Sequence, residues 1–118
     1  MDNVSLMASF SLLFPGLIAG DKIYPVRDED SGREGRSVTL TCQYETADSY
    51  IYLHWYRHDS DLQAPQFILL KGARSWSDDE YIPDNRYQTR TTSSLTELTI
   101  SRLTLADTAL YYCALETQ

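Results

Sequence analysis

The chain has 118 residues, which is room for one domain with a single modest core. Its formal net charge of −7 is spread along the sequence, which excludes a basic nucleic-acid surface, because phosphate binding needs clustered Lys and Arg. Its two cysteines stand outside any CxxC or Cys/His cluster, so they are read as a pair and not as metal ligands.

In chain order, Met1 to Gly20 comes first. After Asp2 it is an uncharged apolar run, broken by Pro15-Gly16 and ending in small residues. It is too short and too broken to span a bilayer comfortably and fits a secretory signal peptide, residues 1–20, cleaved after about Gly20. No Lys or Arg precedes the run, which departs from the usual signal pattern. The alternative is a core segment of the domain. The Asn3-Val4-Ser5 sequon lies inside this leader and is not expected to carry sugar in the mature protein.

From Asp21 onward, short strand-like runs alternate with turn chemistry. Lys22 to Val26 is an edge segment interrupted by Pro25, as edge strands allow. Asp28 to Gly35 is polar and turn-rich. Val38, Leu40 and Cys42 alternate with Ser37, Thr39 and Thr41, giving one core face and one solvent face. In the next strand Leu53, Trp55 and Arg57 share one face, and His54, Tyr56 and His58 share the other. Asp59 to Gln63 reads as a turn, Ala64 to Leu70 as an apolar strand, and Lys71 to Ser77 as a loop. Asn85–Arg90 and Leu95–Ser101 read as an antiparallel pair. Thr104–Asp107 turns into a final strand, Ala109–Ala114.

A bridge from Cys42 to Cys113 would close a long loop, worth roughly 4 kcal/mol on the chain-entropy model, a large share of a small domain's stability. The alternative is two buried free thiols in a reducing compartment. Catalytic chemistry finds no support. His54 and His58 are four apart, which on a strand separates them by roughly 13 Å, too far for one ion. Asp78-Asp79-Glu80 lacks the spaced ligands and turn glycine of a calcium loop. There is no Gly-rich phosphate cradle and no coherent Ser/His/Asp set. No enzyme and no cofactor are expected.

Cys42, then Trp55, then Tyr111-Tyr112-Cys113 follows the order of an immunoglobulin sandwich. With Glu34–Tyr44, His54–Arg57, Ala64–Leu70 and Ala106–Leu115 added, the sequence resembles a variable-type immunoglobulin domain over most of residues 21–118. The closing Tyr-Tyr-Cys-Ala-Leu and the Ala-Pro-Gln-Phe stretch make it similar to a T-cell receptor alpha or delta variable segment. The resemblance implies an all-β sandwich of two antiparallel sheets with Greek-key topology. It makes Cys42–Cys113 the inter-sheet disulfide, Trp55 its packing partner and Tyr111 the tyrosine corner. It pairs Asp107 with Arg86.

The same resemblance implies a chain-pairing face of Tyr56, His58, Pro65, Phe67 and Tyr112 toward a second variable domain of beta or gamma type. Variable loops map to about Thr46–Tyr52, Lys71–Trp76 and the chain end from Ala114. Their ligand-binding candidates are Tyr50, Tyr52, Arg74 and Trp76, since Tyr, Trp and Arg dominate hot spots and paratopes, with Glu116 from the chain-end loop; ordinary loop packing is the alternative, above all for Tyr52 and Trp76. The implied ligand is peptide on an MHC molecule or another surface ligand. The implied setting is the extracellular face of the plasma membrane, with receptor signalling subunits as further partners. An innate or adhesive cell-surface receptor of the immunoglobulin superfamily is the alternative.

Two departures from the family stand out. His58 occupies the place of a glutamine that bonds its counterpart across the chain–chain interface, and histidine makes pairing sensitive to mild acid. No Phe-Gly-x-Gly stretch follows Cys113, so the last strand, which comes from a joining segment, is expected to be absent. That would leave an open hydrogen-bonding edge on the Cys113 strand.

Overall fold

The computed structural model describes residues 3–12, 20–59 and 63–117. Ten strands are defined: β1 (Asn3–Leu12), β2 (Lys22–Pro25), β3 (Glu29–Arg33), β4 (Val38–Glu45), β5 (Tyr50–His58), β6 (Gln66–Arg74), β7 (Glu80–Tyr81), β8 (Tyr87–Thr91), β9 (Leu95–Ile100) and β10 (Ala109–Thr117). A single turn of 3-10 helix, Leu105–Asp107, leads into β10. Among the described residues the strands form two sheets, ordered β3-β1-β10-β5-β6-β7 and β2-β4-β9-β8.

Period-two alternation builds both inner faces. In β4, Leu40, Cys42 and Tyr44 are buried while Thr39 and Glu45 are exposed. In β9, Thr96, Leu98 and Ile100 are buried between half-exposed neighbours. A one-residue slip would exchange the two sets, so burial itself fixes the register. Between the sheets Leu40, Leu53, Trp55, Leu69, Leu98, Ile100, Tyr111 and Leu115 close the core. The disulfide Cys42–Cys113 crosses it, with both sulfurs fully buried. Trp55 donates its indole N–H to Thr96 Oγ1 at 3.1 Å, so the ring fills the core without leaving its polar atom unpaired.

The boundaries differ from the sequence expectation in four places. The polar run after Asp28 is not all turn, because Glu29–Arg33 is strand β3, an edge held by backbone pairing with β1. Lys71–Arg74 belongs to strand β6, since backbone pairing with Tyr50–Leu53 carries the strand past its last apolar residue. β10 runs on to Thr117, with Glu116 opposite Tyr52, so the chain leaves the sheet later than Ala114. Finally, the far edge of β10 is covered. β1 lies parallel to it from Leu6 opposite Ala109 to Leu12 opposite Leu115, satisfying the backbone groups that an edge would leave free. Residues 13–19 of the expected leader, and the centre of the turn expected from Asp59 to Gln63, fall outside the described residues.

Candidate functional site

The frame under the site is a charge cluster at the mouth of β10. Asp107 is only 1% exposed and receives Arg86 Nη2 at 2.6 Å, Arg57 Nη1 at 3.4 Å and the Thr104 amide at 2.8 Å. Its backbone carbonyl accepts the Tyr111 hydroxyl at 2.6 Å. Burial pushes the Tyr111 phenol far above its ordinary range. The hydrogen bond to Asp107 likewise raises Arg86. Arg57, which the sequence placed merely on the inward face of β5, also reaches Asp59 at 2.8 Å and the Ala106 carbonyl. Its spacing from Trp55 was legible, but nothing in the sequence marked it as the second arginine on Asp107.

The face of the β10-β5-β6 sheet turned away from the core is aromatic. Tyr56 and Phe67 meet edge to face at 5.8 Å, and Phe67 stacks on Tyr81 at 6.0 Å. A bulge in the β5–β6 register between Trp55 and Tyr56 brings Tyr56 opposite Phe67. His58 Nδ1 lies 3.3 Å from the Tyr112 hydroxyl, and its Nε2 is buried with no hydrogen-bond partner among the described residues. Pro65, just ahead of β6, is exposed. Phe67 remains 39% exposed and Tyr81 59% exposed, so the patch presents apolar rings to its surroundings.

His54 sits at the upper end of the same face and is 8% exposed. It stacks on Tyr56 at 6.2 Å, contacts Phe67, and has Nε2 2.7 Å from Glu116 Oε1. Glu116 is therefore engaged inside the sheet face and does not sit in a free loop. His54 and His58 serve different neighbours, and no group of three metal-ligating side chains exists among the described residues. Sequence reasoning placed His54 on this face with Tyr56 and His58 without counting it among the pairing residues, and it missed Tyr81. Tyr81 comes from the two-residue strand β7, which has no alternation to reveal it.

Above the face, at one end of the sandwich, Tyr50, Tyr52 and Trp76 cluster. Trp76 meets Tyr50 at 5.3 Å and Tyr52 at 4.8 Å. The Tyr52 hydroxyl donates to Asp79 Oδ2 at 2.9 Å, and that bond, with burial second, raises its phenol above the ordinary value. Tyr50 is exposed. Arg74 lies beside them but turns inward, its guanidinium spent on backbone carbonyls.

Compared with known families, residues 27–118 match the immunoglobulin V-set domain. The chain belongs to the immunoglobulin V-set family. Its relatives include T-cell receptor variable regions of alpha and beta type. It is 32% identical to human T cell receptor alpha variable 38-1 over 88 residues, covering 73% of this chain and 72% of the relative. It is 34% identical to human T cell receptor alpha variable 26-1 over 80 residues, 68% of this chain and 69% of the relative. It is 30% identical to human T cell receptor beta variable 7-6 over 83 residues, 70% of each. Alpha and beta regions match at similar identity, so the likeness establishes a receptor-type V-set domain without choosing between the two chain types. No helix among the described residues is long and apolar enough to cross a membrane.

Proposed function

We propose that this V-set domain is a T-cell receptor variable region that recognises antigen, peptide on an MHC molecule or another surface ligand, as one half of a heterodimer. The observation that carries this is the outward patch of Tyr56, Phe67, Tyr81, His58 and Tyr112, which is aromatic and partly exposed on one sheet face. Aromatic rings at low exposed charge are what the core of a protein interface requires. Its occupant is a second variable domain of beta or gamma type, and signalling subunits join the assembled receptor.

Ligand contact falls to Tyr50, Tyr52 and Trp76, rigid amphipathic anchors mounted on a disulfide-crossed frame. Recognition is by shape and hydrogen-bond complementarity, with no catalytic step. Residues 1–20 act as a secretory leader that delivers the domain to the extracellular face of the plasma membrane. Their removal takes β1 away and frees the Ala109–Leu115 edge for a further strand, as from a joining segment. Sequencing the genomic 3′ flank tests the assignment. A recombination signal just beyond the Glu116 codon supports it, and an exon continuing into a stalk and membrane helix would mark an adhesive or innate receptor instead.

A further inference from the structure

Arg74 is the last residue of β6 and takes φ +58°, a left-handed conformation unusual for a residue with a side chain. Such a conformation persists where surrounding contacts over-determine it. Here the contacts are four hydrogen bonds from one guanidinium to three carbonyls. Nη1 donates to Thr46 O at 2.6 Å and Asp48 O at 2.7 Å, while Nη2 and Nε donate to Ser93 O at 2.7 and 3.2 Å. The guanidinium also lies over the buried Tyr44 ring, 5.4 Å from its centroid. The Tyr44 hydroxyl donates to Thr92 O.

Those carbonyls belong to two separate connections, the loop between β4 and β5 and the turn between β8 and β9. The residue after Arg74 adds a third: Ser75 N–H donates to Ser49 O at 3.0 Å. The side chain of Arg74 therefore joins two connections, and the backbone that follows it ties the third to the first, at the end of the sandwich where Tyr50 and Trp76 sit. Lysine cannot reproduce this, because only a planar fork presents donors to three acceptors at fixed angles.

We propose that Arg74 is a positioning residue of the recognition surface: it fixes the loops 46–49, 75–78 and 92–94 relative to one another and does not itself contact ligand. This rests on reading that end of the domain as the recognition end. It replaces the expectation, drawn from residue type alone, that Arg74 is a ligand-binding anchor. A surface fixed in advance loses less freedom on binding, so such a clamp favours tight association with one ligand shape over adaptation to many.

The test is hydrogen–deuterium exchange on the full chain with Arg74→Lys and Arg74→Met. Both variants should speed exchange roughly tenfold or more at amides of residues 48–50, 75–76 and 92–95, because local opening no longer breaks the shared fork. Amides of Leu40, Leu98 and Tyr111 should exchange as in the unaltered chain. Unchanged loop exchange in Arg74→Met, a uniform rise that includes the core amides, or full retention of protection in Arg74→Lys would each overturn the proposal. Should Arg74→Met fail to fold, Arg74→Lys alone decides between fork and charge. The clamp and the receptor assignment fail separately: an adhesive-receptor exon structure with loosened loops would leave the clamp standing and remove its recognition role.

Discussion

Nε2 of His54 lies 2.7 Å from Oε1 of Glu116, tying β5 to β10 at the end of the sandwich that carries the aromatic loop cluster. The imidazole is nearly buried, so its hydrogen bond cannot be exchanged for one to water without opening the sheet face. Glu116→Ala should therefore lower unfolding stability by about 1–2 kcal/mol, the usual consequence of stranding a buried polar atom. Glu116→Gln, which keeps an acceptor, should lose less than half of that. Urea unfolding of the three proteins checks it.

Asp107 holds two arginines and an amide from inside the protein. Asp107→Ala leaves the guanidinium groups without their shared acceptor and should cost about 3 kcal/mol, the lower end for a broken buried pair because both arginines keep some contact with water. Arg86→Ala should cost clearly less, since Arg57 still reaches the carboxylate. Chemical denaturation of the two variants would show the asymmetry, and equal losses would mean that Arg57 contributes nothing.

The Tyr111 phenol is held neutral well above the ordinary range by burial. An unfolded tyrosine ionises near pH 10, so above that pH the unfolded chain binds fewer protons than the folded one. Stability is then fully present below about pH 10 and falls as pH rises beyond it. Tyr44 and Tyr56, also raised chiefly by burial, act in the same direction. Tyr111→Phe should reduce the alkaline loss while costing about 1 kcal/mol at neutral pH through the missing bond to the Asp107 carbonyl. Thermal unfolding between pH 7 and 11 reads both effects.

Much of the frame was legible in the residues because its signal is local. Alternation through Leu40, Cys42 and Tyr44, and again through Leu98 and Ile100, sets a buried face whatever the rest of the chain does. The strand ends were not legible. Lys71-Gly72-Ala73-Arg74 has no apolar alternation, and it is extended because β5 lies alongside it. A Cβ at Gly72 would overlap the Trp76 carbonyl, so the glycine that looks like a loop signal is there for close packing. Residue type named Arg74, and its place at the chain end named Glu116, as surface contacts, but both point into hydrogen bonds that only the assembled sheets create. Nor could the sequence show Arg57 beside Asp107, which depends on the crossing of β5 over the turn before β10.

The proposed function requires the Tyr56–Phe67–Tyr112 face to pair with a second variable domain. Phe67 is 39% exposed, so Phe67→Asp should cost the isolated domain only its ring contacts with His54, Tyr56 and Tyr81, about 1–2 kcal/mol, and leave it folded. Placed at the centre of an aromatic interface, the same change should weaken association a hundredfold or more, as the loss of a hot-spot anchor does. The decisive measurement is sedimentation equilibrium of this chain mixed with a beta-type or gamma-type receptor variable domain. A one-to-one complex that Phe67→Asp abolishes is the predicted result. A chain that stays monomeric with both partner types, or a complex indifferent to Phe67→Asp, would contradict it.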